Sequence, residues 1–472
     1  MLSRFFNVDS RLLNHAPWVY AAVLLGWGLW YFMAPPAVPL FNPDTESYVN
    51  FSSIRTMGYP VFLWLVHKLT GGYTAAFPVQ LCIFVGSLSF VALAFSRFLH
   101  SFISGLFLII GIMALPQIVG YTAQLFTESL TASFIMLLAG IILNHTRQPR
   151  LCNLWFVGFV LGVLILIRPS AYSFLSIVPF LLFFYRGAFI RNGVSVTVPL
   201  ILCILIGSTF NYMNHGFFST QSFLGNNLYG KMLFVVRPGM KGEAPLQTQL
   251  IEYMLEHQKP FSETFKEVHT APPLYFSLIS PLYDKFRFEM FAKACEQFPE
   301  ITKREDVDRF CRDLSLTIMR QNPLGYVEDV LLNYRALWFT WDLRTNEKKQ
   351  ELKHFIDTYK ELPHFKAIGL DYEYIKFRNY PDAMVYAAQL FFVFTFVVSL
   401  YFIVVCLPPF RRIRKVNQIG ILLSIIIHSL FLLTALLQAG LPRYSMVMWP
   451  VMMLMDILFA YDMARRFFRR PL

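Results

Sequence analysis

The stretch QIGILLSIIIHSLFLLTALLQAG, residues 418–440, carries no charged side chain, and RRIRK, residues 411–415, stands two residues before it. A helix rises about 1.5 Å per residue, so this run reaches across the ~30 Å of hydrocarbon in a bilayer. It is apolar around its whole circumference, which suits lipid and not water. The cations at one end mark that end as cytoplasmic, because loops retained on that side carry the excess of Lys and Arg.

Working outward, apolar runs of similar character recur near residues 16–34, 76–96, 101–120, 123–143, 153–168, 170–185, 192–212, 383–407 and 445–462, giving about ten spans in all. The composition agrees. With 56% hydrophobic residues, only 15% charged and 49 Phe among 472 residues, the chain is too apolar for a soluble globule, whose apolar share is roughly 45–50%.

The formal charge of +12 would suggest nucleic acid if it were spread along a face. It is instead concentrated at Arg4 and Arg11, Arg97, Arg147 and Arg150, Arg186 and Arg191, residues 411–415, and Arg465 to Arg470. These clusters fall between alternate apolar runs, which is the pattern of topology and argues against a nucleic-acid partner. Ten crossings that begin inside also end inside, and every cluster is then cytoplasmic. No A-x-A-like site ends the first run, so it is expected to be retained as a span.

The chain thus divides into a transmembrane module over 1–212 with about seven spans, a segment over 213–382, and a module over 383–472 with about three spans. The middle segment is of domain size, lies outside the membrane, and reads as mainly helical, with Pro323 opening a helix that contains Glu328 and Asp329. Tyr334, Trp338, Phe339 and Trp341 near its end suit a position at the membrane surface. Cys295 and Cys311 both fall in this segment, on the oxidising side. A local disulfide and two buried thiols are equal alternatives. A shorter outer connection covers 35–75, and its residues 59–69 suit a helix lying along the interface.

That first connection holds FNPDTESY, residues 41–48, followed by RTMGYP, residues 55–60. Asp44 and Glu46 lie two apart in a turn set by Pro43, so one can serve as general base while the other binds a cation or sugar hydroxyls. Arg55 offers a planar fork of donors for phosphate. The competing reading is a solvated loop in which Asp44 caps the next helix. Thr127-Glu128 opening the fourth span, Arg168-Pro169 between the fifth and sixth, and Pro442-Arg443-Tyr444 leading into the last add charge at the same membrane face. Glu128 can equally complement a helix N-terminus, and Arg168 and Arg443 can snorkel to the interface.

These elements resemble the GT-C superfamily of integral-membrane glycosyltransferases, family 39-like, which take sugars from polyprenyl-phosphate carriers. In that family an acid follows the first span, with a Tyr a few residues on and an Arg before a Pro-Gly-Tyr-Pro turn. Asp44, Tyr48, Arg55 and Gly58-Tyr59-Pro60 match, while Met57 replaces the first Pro. The resemblance implies an all-α polytopic fold in a bacterial inner membrane, with its active site facing the periplasm. It implies Asp44 as catalytic base with Glu46 or Glu128 as second acid, and Tyr48, Arg55, Tyr59, Arg168, Arg443 and Tyr444 on the substrate. The partners it implies are a polyprenyl-phosphate-sugar donor, a glycan, lipid or protein acceptor, and membrane lipids. It leaves a divalent metal ion open, since members differ in needing one.

No phosphate loop of the G-x-x-x-x-G-K type and no H-E-x-x-H pair is present, which disfavours nucleotide and zinc chemistry. Two other readings compete. A transporter or flippase would place ionisable groups near the midplane and often shows related halves. A polymerase or ligase of lipid-linked glycans would also use Arg and a large outer loop.

Overall fold

The computed structural model describes residues 12–33, 44–115, 120–184, 188–258, 283, 304–338, 382–405, 414–438 and 442–468. These residues form helices α1 (Ala16–Met33), α2 (Thr45–Val49), α3 (Gly58–Thr70), α4 (Ala76–Leu99), α5 (Phe102–Met113), α6 (Thr127–Arg147), α7 (Leu151–Ile167), α8 (Ile177–Phe184) and α9 (Phe189–His215). They continue with α10 (Leu224–Met232), α11 (Pro245–Gln258), α12 (Arg304–Gln321), α13 (Pro323–Trp338), α14 (Asp382–Val405), α15 (Lys415–Leu437), α16 (Pro442–Met446) and α17 (Trp449–Phe468). Short 3-10 turns cover Tyr121–Ala123 and Pro169–Ser176, and there is no strand among the described residues.

Each apolar run read from the sequence contains a helix. Four helices, α4, α6, α9 and α15, are long and apolar enough to cross a membrane, and five more apolar helices are shorter. The described residues are therefore all-helical apart from turns and connections, with four candidate membrane spans among them. α17 differs from the others in carrying Asp456, Asp462, Arg465 and Arg466. Large apolar side chains such as Leu29, Trp30, Phe107, Ile190 and Ile206 lie exposed on the outer helices, more than a water-facing surface tolerates.

Contacts between helix termini define two ends of the bundle. At one end the Tyr461 hydroxyl donates to the Leu99 carbonyl at 2.7 Å and Lys415 reaches the Arg147 carbonyl at 3.4 Å. Arg97, Arg147, Arg465 and Arg466 also sit in the last turns that finish there. At the other end Tyr121 donates to Met446 Sδ at 3.3 Å, and Thr45 of the connection between α1 and α4 reaches the Leu125 carbonyl.

Close helix contact without bulky side chains explains the packing of α7 on α9. The sequence GFVLG places Gly158 and Gly162 one turn apart on one face. A methyl group on Gly158 would stand 2.0 Å from the Val196 carbonyl oxygen, and one on Gly162 2.5 Å from Cys203 Cβ. Only hydrogen fits, so the backbones approach and dispersion contacts accumulate along the seam.

α10, α11 and α12 build a second hydrophobic core from Tyr229, Met232, Val236, Ile251, Met254, Val307, Leu314 and Ile318. Cys311 is buried in it, while Cys295, its proposed disulfide partner, lies outside the described residues. This unit and the adjoining α13 dock on the open C-terminal end of α15, whose last carbonyls have no intrahelical partner. Lys231 Nζ donates to the Ala435 carbonyl, Tyr326 Oη to Leu436 at 2.7 Å, and Asn333 Nδ2 to Gln438 at 2.6 Å. Lys231 is fully buried and pairs with Asp329 at 2.8 Å. Burial pushes its ammonium pKa down, and the Asp329 carboxylate opposes that shift.

The end of α13 packs its aromatic residues into the bundle. Trp338 is 2% exposed and wedged among Phe396, Phe431 and His428, with centroids 5.0 to 5.1 Å away. Tyr334 bonds His428 Nδ1, while His428 Nε2 lies 2.9 Å from Ser399 Oγ, which itself donates to the Phe396 carbonyl. With the Ser399 proton committed, Nε2 is the donor and Nδ1 accepts from Tyr334. These aromatics close a helix seam. Phe339 and Trp341 lie outside the described residues.

Candidate functional site

Asp44 ends in a helical conformation at the start of α2, φ −77°, and its side chain makes no capping bond. The capping reading is therefore not the one realised. The carboxylate instead accepts from Arg55 Nη2 at 2.6 Å. Arg55 also donates from Nε to Ser47 Oγ at 2.7 Å and from Nη1 to Tyr48 Oη at 3.3 Å, and its guanidinium lies 4.5 Å from the Tyr48 ring centroid. What brings Arg55 back over α2 is a sharp reversal at Phe51, whose φ of +49° is rarely adopted by an aromatic residue. Such strain persists only where surrounding contacts enforce it.

Glu46, two residues on, points to solvent, with no side-chain partner among the described residues. The two acids that sequence spacing sets side by side are thus turned apart by the helix.

A second charged cluster forms from distant elements. Glu128 lies in the first turn of α6, where a carboxylate complements the N-terminal dipole. It is 2% exposed and pairs with Arg168 Nη1 at 3.4 Å, while Arg168 is itself 8% exposed in its side chain. Arg168 ends α7 in an extended conformation, φ −149°, imposed by Pro169 behind it. Its guanidinium stacks 4.4 Å from the Tyr444 ring. A buried ion pair is costly unless well bonded, so the stacked ring and the Thr127 hydroxyl, 3.3 Å from Glu128 Oε2, are part of what sustains it. Arg443 precedes Tyr444 in α16, and its side chain lies outside the described residues.

Gly58 and Tyr59 join the two clusters. A Cβ on Gly58 would meet the Leu166 carbonyl oxygen at 2.6 Å, so the connection between α1 and α4 rests on the backbone that leads into Arg168. Tyr59 is wholly buried, packs edge-on against Tyr48 at 5.0 Å, and donates to Gln80 Oε1 at 2.9 Å. Burial raises its phenol pKa well above the usual 10.0, and the nearby Tyr48 and Glu128 raise it further. Tyr59 is therefore within electrostatic reach of both clusters.

Gln80 was not evident from composition or spacing. Its Nε2 donates to the Thr122 and Gln124 carbonyls at 2.8 and 3.0 Å, which consumes both amide protons and leaves Oε1 to accept from Tyr59. Thr45 Oγ1 adds a bond to the Leu125 carbonyl at 3.2 Å. These bonds tie the loop before Glu128 to the loop of Asp44 and Arg55. The available signal was a lone amide near the start of an apolar run, which demands a partner.

Of the residues read from the sequence, Asp44, Tyr48, Arg55 and Tyr59 come together, as do Glu128, Arg168 and Tyr444. Among the described residues no three His, Cys, Asp or Glu side chains converge in a manner that could hold a metal ion. No protein-family model, curated protein or solved structure matches the chain.

Proposed function

We propose that this chain is an integral-membrane glycosyltransferase that moves a sugar from a polyprenyl-phosphate-linked donor to a glycan, lipid or protein acceptor. In this reading the ten apolar helices all cross a bacterial inner membrane, the second helical core belongs to a periplasmic domain, and the site faces the periplasm. The observation that supports it is the gathering of the Asp44–Arg55 pair and the Glu128–Arg168–Tyr444 cluster at one end of an apolar bundle, joined through Tyr59. A phosphate headgroup at the outer leaflet would meet guanidinium groups and acids at one depth, with its tail in lipid.

The Asp44–Arg55 bond suggests how binding and chemistry are ordered. The donor's phosphodiester, with two non-bridging oxygens sharing one charge, engages the Arg55 fork in place of the Asp44 carboxylate. Asp44 is thereby released as general base. The acceptor O–H attacks the anomeric carbon, its proton passes to Asp44, and the bond between that carbon and the phosphate oxygen breaks to leave polyprenyl phosphate. Glu128 holds Arg168 in place beside the same phosphate.

The test is incubation of the purified protein in detergent with a panel of polyprenyl-phospho-sugars, following donor consumption and thermal stabilisation. Stabilisation by one donor and release of polyprenyl phosphate are expected. A protein that neither consumes nor is stabilised by any of them would remove this reading. A transporter or flippase is the second reading, favoured by one observation, the buried Asp456 within the apolar part of α17.

A further inference from the structure

Asp456 is 8% exposed, in the first half of α17, which is buried on nearly every side. Its Oδ2 lies 2.5 Å from Thr395 Oγ1 on α14, and its Oδ1 has no hydrogen-bond partner among the described residues. Thr395 has one hydroxyl proton, and its oxygen is also 2.8 Å from the Phe391 carbonyl one turn earlier. That back-bond to the preceding turn is the habitual use of a helical Thr proton. A carboxylate only accepts, so an ionised Asp456 would leave two acceptors competing for that single proton. A protonated carboxyl satisfies all three groups: Asp456 donates from Oδ2 to Thr395, and Thr395 donates to Phe391.

Charge accounting leads to the same state. On α17 Tyr461 donates to the Leu99 carbonyl, Asp462 and Arg466 pair with each other at 2.5 Å, and Arg465 lies in the last turn at the basic end. Of the helices packed on α17, α5 carries no ionisable side chain. On α15, His428 is engaged by Tyr334 and Ser399, and Lys415 lies at the basic end against the Arg147 carbonyl. On α14, the Tyr401 ring packs on Phe459. On α6, Glu128 is held by Arg168, and His145 and Arg147 occupy the last turn. No cation among the described residues forms an ion pair with Asp456. An unpaired carboxylate in apolar surroundings takes up a proton in preference to remaining charged.

We infer that Asp456 is a proton-binding site within the helical bundle, held as a neutral carboxylic acid that ties α17 to α14 by donating to Thr395. The site does not depend on the proposed glycosyl transfer. It also defines a reactive group: a protonated carboxyl in apolar surroundings adds its O–H across one C=N bond of a hydrophobic carbodiimide. The adduct rearranges to an N-acylurea that retains every atom of both reactants.

Infrared spectra of the purified chain and of Asp456→Asn, in H2O and D2O near neutral pH, test the proposal. A carboxylic-acid carbonyl band that shifts in D2O is expected in the parent chain and lost in Asp456→Asn. The Asn amide can still donate to Thr395, so this variant is expected to fold; should it not, Thr395→Ala is used, and the band moves to higher frequency as its hydrogen bond is removed. Dicyclohexylcarbodiimide is expected to add one reagent mass to the peptide holding Asp456. Identical acid-band spectra for the parent and Asp456→Asn overturn the inference. So does a sodium ion retained by the parent chain and not by that variant, because it would identify a carboxylate neutralised by metal.

Discussion

Arg55 donates to the Asp44 carboxylate at 2.6 Å, so the residue proposed to bind phosphate and the residue proposed to take the acceptor proton hold each other. Asp44→Asn keeps the shape of this contact but cannot take up the proton. Turnover with a confirmed donor is expected to fall by about 10²–10⁴-fold, with donor affinity unchanged or tighter because a neutral amide holds Arg55 less strongly than a carboxylate does. Arg55→Ala is expected to weaken donor binding by roughly one to two orders of magnitude, from a charge-assisted bond of about 1.5–3 kcal/mol. Kinetics and binding measured on the same preparations separate the two. Near-normal turnover in Asp44→Asn would remove Asp44 as the base.

Gln80 positions Tyr59 and spans the gap to the loop before Glu128. Gln80→Leu should disturb both clusters, leaving two carbonyls and a phenol without their buried partner, at about 1–3 kcal/mol for each unsatisfied group. Tyr59→Phe removes one bond and is expected to be milder. Melting temperatures should follow the order parent, Tyr59→Phe, Gln80→Leu. Equal melting of all three would show that the network contributes nothing.

The raised Tyr59 pKa also has a consequence in alkali. Above the unfolded value of 10.0 the unfolded phenol loses its proton while the folded one keeps it, so the folded state binds more protons and stability falls as pH rises. This contribution is complete below pH 10.0 and is lost through the folded pKa. Tyr59→Phe should flatten the melting profile above that pH, and an unchanged slope would contradict the assignment.

Lys231 and Asp329 form a buried pair that docks the second helical core on α15. Removing one partner, as in Lys231→Met or Asp329→Leu, leaves the other charge buried and alone, at about 3–5 kcal/mol. The double variant should recover much of that loss, since apolar pairs of similar volume replace buried ion pairs well. Additive effects in the cycle would mean that the two side chains do not interact.

Gly158→Leu should abolish correct packing of α7 on α9, because even a methyl group there meets the Val196 carbonyl oxygen at 2.0 Å. Gly26→Ala is the control, as no atom lies within 4 Å of its Cβ position. It is expected to stabilise α1 slightly, by about 0.5–1 kcal/mol. Monodispersity in detergent and melting temperature read both.

The sequence by itself determined the all-helical character, the positions of the apolar helices and the placing of basic residues at one end of them. These follow from local properties: runs of apolar side chains and the charges that flank them. Asp44, Tyr48, Arg55 and Tyr59 were legible as a group because they lie within one short connection. Only the tertiary structure decided that Asp44 bonds Arg55 and does not cap its helix, and that Glu46 turns away. It alone brought Glu128, Arg168 and Tyr444 together, buried Trp338 in a helix seam, and revealed Gln80, Lys231 and Asp456 as buried polar groups with particular partners. Those outcomes depend on contacts between residues far apart in the chain, such as Arg168 with Tyr444 or Lys231 with Ala435. Periodicity tells which face of a helix is apolar, but not which other helix that face meets.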